Sequence, residues 1–163
     1  MKKRVNSRAK GCRGELQFAK ELGHYGIHAV RGQQRAGGPN SPDVIHDMAG
    51  VHFEVKFNER ISVGSKILEE ALFQAHGDKT MGDLAVVVWR KSRERWKATF
   101  LMTIHPPVSS ELNPSELPMT MNLEDFMYAR GYGRNEHSVY VSPKEDTSGN
   151  MIPPWMSSQE TAG

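Results

Sequence analysis

The chain has 163 residues, of which 37% are hydrophobic and 25% are charged, a composition typical of a soluble protein with one folded core. No apolar run approaches the roughly 18 residues that a membrane-spanning helix needs, and no apolar segment follows the basic N-terminus as in a secretory signal. The single cysteine, Cys12, excludes an intrachain disulfide and suits a reducing compartment. We therefore expect a cytoplasmic protein with no membrane partner.

The net charge of +2 conceals a strong asymmetry along the chain. Residues 1–35 contain nine Lys or Arg and two acids, a balance of +7, whereas residues 105–163 contain three Lys or Arg and eight acids, a balance of −5. A basic N-terminal third is typical of a protein that binds a polyanion such as nucleic acid, and a merely solubilising terminus is the alternative. The cations expected to hold phosphates are Lys10, Arg13, Arg31 and Arg35.

The first predicted element is a helix over about residues 8–22. Its apolar residues recur at helical spacing, and Ser7 is a suitable N-cap. Glu15 falls on or near the apolar face, where a carboxylate is costly unless it is paired or binds a metal ion. An ion pair with a nearby basic side chain and a place in a metal site are both open for Glu15.

The chain then alternates between predicted strands and one helix up to residue 104. The strands are predicted over 27–31, 43–48, 51–57, 84–89 and 96–104, and the helix over 65–77. The apolar run from Leu84 to Trp89 indicates a strand buried on both faces, and a charged hairpin turn is predicted from Arg90 to Arg95. This order predicts an α/β fold with a mixed sheet of about five strands flanked by helices.

A change of composition at residue 105 predicts a second region. Seven of the nine prolines lie beyond that point. We predict a core domain over 1–104 and a Pro-rich extension over 105–163, which is partly disordered or docked on the core or on a dimer partner. Within the extension we expect a linker over 105–121 and one short helix over 122–130 with Asn122 as its cap.

The segment between Ser41 and Phe57 contains most of the candidate catalytic residues. Residues 51–57 alternate strictly, so Glu54 and Lys56 share one face of a strand. A turn at residues 47–50 would fold the preceding strand back as a hairpin and bring Asp43 close to Glu54. Two carboxylates and a lysine that converge at one sheet edge predict a divalent-metal site. The basic, glycine-rich loop over residues 32–41 precedes this site and is expected to bind a ligand.

The pattern from Pro42-Asp43 to Glu54-Val55-Lys56 resembles the PD-(D/E)xK motif of a nuclease superfamily. The chain more closely resembles the archaeal-type Holliday junction resolvases, a family that also occurs in viruses. This resemblance covers about residues 8–104. It includes Lys10-Gly11 with Glu15 in the first helix, Ala29-Val30-Arg31 in the first strand, and Val63-Gly64 before the next helix.

The chain departs from that family in two places. Leu16 stands where an arginine usually follows the helical glutamate, and the usual loop serine has no clear counterpart among Gly37, Gly38 and Ser41. Both departures concern recognition of the junction rather than the hydrolytic chemistry.

The resemblance implies a restriction-endonuclease-like core that hydrolyses DNA phosphodiester bonds at four-way junctions, as in DNA recombination and repair. Mg²⁺ or Mn²⁺ would be held by hard oxygen ligands from Asp43, Glu54 and the Val55 carbonyl, with Glu15 as a further candidate. Lys56 would orient or help to deprotonate the attacking water, or neutralise the transition state. The implied catalytic residues are Glu15, Asp43, Glu54 and Lys56.

A junction has pseudo-two-fold symmetry, so the homodimer that the resemblance implies would match it. Trp89 and Trp96 are candidates for interface anchors, although packing in the core or hairpin is the alternative. Two other functions stay open. The chain could be a nuclease of the same fold with a restriction-like, flap or single-stranded substrate, or a DNA-binding module without catalysis.

Overall fold

The protein is described here by a computed structural model over residues 7–32, 42–104, 115–134, 144–145 and 151–152. The elements in chain order are α1 (Ser7–Gly23), β1 (Ala29–Arg31), β2 (Val44–His46), β3 (Val51–Phe57), α2 (Lys66–Asp78), β4 (Leu84–Arg90), β5 (Lys97–Ile104), β6 (Ser115–Asn122), α3 (Leu123–Ala129), β7 (Lys144–Glu145) and β8 (Met151–Ile152). The predicted α/β class, with a mixed sheet and helices, is confirmed. No helix among these residues is long and apolar enough to cross a membrane.

The described residues fall into two compact units, and the boundaries follow Ala49 and Phe126. The first unit contains residues up to 49 and from 127 onward, and the second contains residues 50–126. The division into a core over 1–104 and an extension over 105–163 stays a prediction.

In the first unit, α1 packs on a two-stranded antiparallel sheet formed by β1 and β2. The buried side of α1 carries Phe18, Ala19 and Leu22, none of which is exposed. The helix ends before Gly26, whose φ of 74° is favoured by glycine. The buried apolar face of α1 therefore fixes the positions of the polar groups that share the same helix, including Glu15.

The second unit is built on a four-stranded mixed sheet in the order β3-β4-β5-β6. β3 and β4 are parallel, and the β4–β5 and β5–β6 pairs are antiparallel. Helix α2 covers one face of β3 and β4, and Ser65 caps its first turn by accepting a hydrogen bond from the Leu68 amide. The core between α2 and the sheet consists of Ile61, Leu68, Ala71, Leu72, Ala75, Ala85, Val87 and Trp89.

Aromatic side chains fill another part of the second unit. The ring of Phe126 lies 6.4 Å from that of Phe53 and 5.5 Å from that of Phe100. Trp89 and Trp96 are both buried, and the Trp89 indole donates a 2.8 Å hydrogen bond to the Thr99 hydroxyl. In the described structure the two tryptophans therefore pack within the chain, which was the alternative to a role as interface anchors.

Two sequence predictions about strands are wrong. The hairpin of β2 with β3 does not form, because β2 pairs with β1 and β3 pairs with β4. The expected linker over 105–121 includes β6, which pairs with β5 along its full length. The mixed sheet, predicted with about five strands, has four among the described residues, which also form two separate two-stranded sheets.

Candidate active site

A buried carboxylate and an ammonium group form an ion pair on β3. Glu54 is only 4% exposed, and its Oε1 lies 2.5 Å from the Nζ of Lys56. The parallel register places Glu54 opposite Val87 and Lys56 opposite Trp89, so both share the sheet face that carries the core beneath α2. The predicted pairing of these two side chains on one face is therefore observed, and Glu54 is considerably more buried than an ordinary surface acid.

Burial of Glu54 distinguishes this pair from an ordinary ion pair on the protein surface. A surface pair would contribute about 0–1 kcal/mol, and an acid at 4% exposure needs a partner to offset its desolvation. Lys56 supplies one such partner, and its side chain keeps 30% of its surface exposed. An ammonium group is thus held at the boundary between the core and solvent, where it can contact an anionic ligand.

A second polar cluster lies in the first unit. Arg31 donates a 2.6 Å hydrogen bond from Nε to Oε2 of Glu15, and a second bond of 2.9 Å from Nη2 to Sγ of Cys12. The Glu15 carboxylate interacts with Arg31 in a partly buried setting. Of the two roles left open for Glu15, the ion pair with a basic side chain is the one the structure shows.

Arg31 is also electrostatically coupled to Asp43. The hydrogen bond to Glu15 raises the pKa of Arg31 above its ordinary value, against an opposing effect of burial, and the charges of Glu15, Cys12 and Asp43 raise it further. Asp43 is itself 9% exposed. The first unit therefore gathers two buried carboxylates around one guanidinium group.

The backbone around Gly32 sets the position of Asp43. The Gly32 amide donates a 2.9 Å hydrogen bond to the Asp43 carbonyl, next to the Arg31–Val44 pair of the β1–β2 ladder. A Cβ atom on Gly32 would lie 1.9 Å from the Pro42 carbonyl oxygen. Only glycine allows this approach, so Gly32 is a structural residue of the candidate site that the sequence analysis did not single out.

The predicted DNA-contacting cations differ in their surroundings. Arg13 is exposed and Lys10 is half-buried on α1. Arg31 is engaged with Glu15 and Cys12, so its guanidinium group is not simply presented to solvent. Arg35 lies outside the described residues.

The fit of a metal ion rests on the chemistry of the donors. Within the described ranges, no group of three or more His, Cys, Asp or Glu residues is arranged to hold a metal ion. The predicted set needs only two carboxylates and a carbonyl. Asp43 and Glu54 are both buried acids, and their hard oxygen atoms suit Mg²⁺ or Mn²⁺. The residue types therefore fit a divalent ion, although Asp43 belongs to the first unit and Glu54 to the second.

Three exposed arginines in the second unit lie outside the predicted set of site residues. Arg60 follows β3, and Arg93 and Arg95 lie in the turn between β4 and β5. The available signal was the density of basic residues from Arg90 to Lys97, which was interpreted only as a charged turn.

No family model and no curated protein matches this chain. Among solved structures, the chain is similar to a Holliday junction resolvase from Archaeoglobus fulgidus, an archaeal hyperthermophile. The two are 25% identical, and the alignment covers 55% of this chain and 77% of that one, with a TM-score of 0.38. Because that TM-score is low, the functional interpretation rests on the residues of this chain.

Proposed function

We propose that the chain is a metal-dependent, structure-selective DNA endonuclease that cuts four-way junctions by phosphodiester hydrolysis. The observation that carries the proposal is the buried Glu54 carboxylate paired with Lys56 at the edge of the core. The pair belongs to the Pro42-Asp43 and Glu54-Val55-Lys56 pattern, which is the reason for choosing a nuclease among proteins that bury an ion pair.

Each residue has a role that its chemistry supports. Asp43, Glu54 and the Val55 carbonyl would hold a divalent cation, with Glu15 as a further candidate ligand. When bound, Mg²⁺ or Mn²⁺ would offset the negative charge that builds up on the scissile phosphate. Lys56 would neutralise developing charge on a phosphate oxygen or orient the attacking water, and its position is held by Glu54.

Glu15 and Arg31 are proposed to act together. The 2.6 Å bond between them would keep the Glu15 carboxylate oriented. Arg31 would then bind a DNA phosphate through its remaining hydrogen-bond donors, since a guanidinium group has five N–H donors. Lys10, Arg13 and Arg35 are proposed to contact the DNA backbone, which positions the substrate without reading its sequence.

Junction selectivity and a homodimer belong to the same proposal. A C2 dimer would present two catalytic sites to the two symmetry-related strands of a four-way junction. A cytoplasmic location, inside a host cell if the chain is encoded by a virus, would be consistent with the single cysteine.

The test is cleavage of labelled four-way junction, linear duplex and flap DNA in Mg²⁺, with EDTA as the control. We expect cutting of the junction that depends on the metal, and little cutting of the duplex. Equal cutting of linear duplex would refute junction selectivity and favour a nuclease with another substrate. Tight DNA binding without cutting of any substrate would favour the non-catalytic module.

A further inference from the structure

Three exposed arginines lie close to one end of the four-stranded sheet. They are Arg60, Arg93 and Arg95, and we refer to them as the arginine cluster. Across the ranges that the structure describes, none of the three side chains forms an ion pair or a hydrogen bond. Three guanidinium groups are therefore left to solvent in one region of the second unit.

Direct contacts hold the two segments of the cluster together. The Ser92 amide donates hydrogen bonds of 3.2 Å to both carboxylate oxygens of Glu59, and the Ser92 hydroxyl also bonds Glu59. The Asn58 amide donates a 3.3 Å bond to the Arg90 carbonyl. Since Arg60 adjoins Glu59 and Arg93 adjoins Ser92, these bonds keep the arginines in one area of the surface.

The other cations of this region have partners within the fold. The guanidinium carbon of Arg90 lies 5.4 Å from the centre of the Phe57 ring and 4.7 Å from that of Trp96. Lys91 and Lys97 lie 3.8 Å and 3.5 Å from carboxylate oxygens of Glu94. These cations stabilise the sheet and its turn, whereas the arginine cluster contributes no such contact.

The backbone conformation of Arg93 supports a role in binding rather than in stabilising the fold. The turn is closed by a 3.2 Å bond from the Glu94 amide to the Lys91 carbonyl, and Arg93 at its third position has φ of 66°. Glycine or asparagine is favoured in that conformation, so an arginine there carries a cost in stability. Among the described non-glycine residues, only Arg93 has a positive φ. Such an outlier motivates a functional hypothesis.

The arginine cluster lies near the C-terminal ends of β3 and β4, and Lys56 is the second-last residue of β3. Phe57 pairs with Arg90 in the parallel register, and Lys56 pairs with Trp89. Arg60 lies four residues beyond Lys56, in a turn closed by a bond from the Ile61 amide to the Asn58 carbonyl, so its Cα is at most about 14 Å from that of Lys56. A DNA duplex rises roughly 3.4 Å per base pair along its axis, so this upper limit corresponds to about four base pairs.

We propose that the arginine cluster binds DNA backbone phosphates a few nucleotides from the phosphate at Lys56. This inference rests on the proposed function. The planar guanidinium fork matches phosphate oxygens and can form two parallel hydrogen bonds. The surface would thus extend DNA binding beyond the basic N-terminal third to the turn between β4 and β5.

The test compares wild type with the triple variant Arg60→Gln, Arg93→Gln and Arg95→Gln. Binding of fluorescently labelled four-way junction is measured in EDTA between 50 and 200 mM salt, so that no cutting occurs. Loss of three phosphate contacts lowers the slope of log affinity against log salt by about 2.7. The fall in affinity over this salt range should therefore be about 40-fold smaller in the variant.

A charge control and a folding control accompany this comparison. Lys66→Gln with Arg130→Gln removes two exposed cations outside the cluster, and its salt slope should equal that of wild type. If the triple variant does not fold, Arg60→Gln and Arg95→Gln avoid the strained position, and each should lower the slope by about 0.9.

An unchanged salt slope in the folded triple variant, or in both single variants, would overturn the proposal. A decrease of about 1.8 in the slope of the Lys66→Gln and Arg130→Gln control would also overturn it, because the effect would then follow the number of charges removed. Failure of the proposed function gives a different result: wild type would bind DNA and cut nothing in Mg²⁺, while the binding comparison would still decide the role of the arginine cluster.

Discussion

Lys56→Met isolates the dependence of the fold on the buried pair, because methionine keeps the length of the side chain and removes its charge. The Glu54 side chain is 5% exposed and that of Lys56 is 30% exposed. Breaking a fully buried pair costs about 3–5 kcal/mol, whereas an exposed pair contributes about 0–1 kcal/mol. With one partner buried and the other partly exposed, we expect the free energy of unfolding to fall by about 2 kcal/mol.

Thermal and urea unfolding measure this loss. For a chain of this size, about 2 kcal/mol corresponds to a decrease in Tm of about 4–8 °C. The double variant Glu54→Gln with Lys56→Met removes both charges, and we expect it to be more stable than Lys56→Met alone. Lys56→Met as stable as wild type would show that the ion pair does not stabilise the fold. A double variant no more stable than Lys56→Met would show that the unpaired charge of Glu54 does not cause the loss of stability.

The same variants test the assignment of Glu54 as a metal ligand without any activity assay. Lys56→Met leaves a carboxylate that lacks its ammonium partner, so Mg²⁺ should raise its Tm. The double variant with Glu54→Gln should show no such increase. An equal response to Mg²⁺ in both variants would exclude Glu54 as a ligand.

Three further substitutions test the described contacts. Arg31→Gln should lower the free energy of unfolding by about 1–2 kcal/mol. Because its pKa is raised, the Arg31 contribution is fully present below the ordinary arginine pKa and is lost only as pH rises through the higher folded value. The loss on substitution should therefore be constant from pH 6 to pH 7 in urea unfolding, and a change over that range would contradict the pairing with Glu15. Gly32→Ala should cost about 3 kcal/mol, because the new Cβ would lie 1.9 Å from the Pro42 carbonyl oxygen, and an unchanged Tm would contradict that geometry. Trp89→Phe removes a buried indole hydrogen bond and should lower stability by about 1–3 kcal/mol, whereas a loss below about 0.5 kcal/mol would show that this bond contributes little.

Elements with a strong side-chain pattern were predicted closely from the sequence. The strict alternation of residues 51–57 gave the bounds of β3, and the Ser65 cap with its apolar stripe gave α2 within one residue at each end. In both elements a single buried face dictates the spacing of apolar residues, so the information is local.

Strand pairing was harder to predict from the sequence, because it depends on backbone hydrogen bonds between distant segments. The short connection before β3 suggested a hairpin, yet β3 pairs in parallel with β4. β4 is buried along its length and takes neighbours on both sides, β3 and β5. β6 was not predicted, because its first four residues are exposed and it contains Pro118. Its sequence therefore lacks the alternation of apolar and polar residues that indicates a strand.

In the candidate site, too, local contacts were predictable from the sequence and contacts between distant segments were not. The pairing of Glu54 with Lys56 followed from their spacing on one strand. The pairing of Glu15 with Arg31 joins a helix to a strand sixteen residues later, and the sequence supplied only the expectation that Glu15 needs a partner. The role of Gly32 depends on a close approach to Pro42, which no local pattern records.

Cleavage by Asp43→Asn and Glu54→Gln, measured beside DNA binding, tests the assignment of a metal-dependent nuclease most directly. Each variant should cut a labelled four-way junction in Mg²⁺ at least about 100-fold more slowly than wild type, with junction affinity in EDTA largely unchanged. Cutting at the wild-type rate by either variant would contradict the assignment. A parallel loss of binding and cutting would contradict the metal role of the two carboxylates.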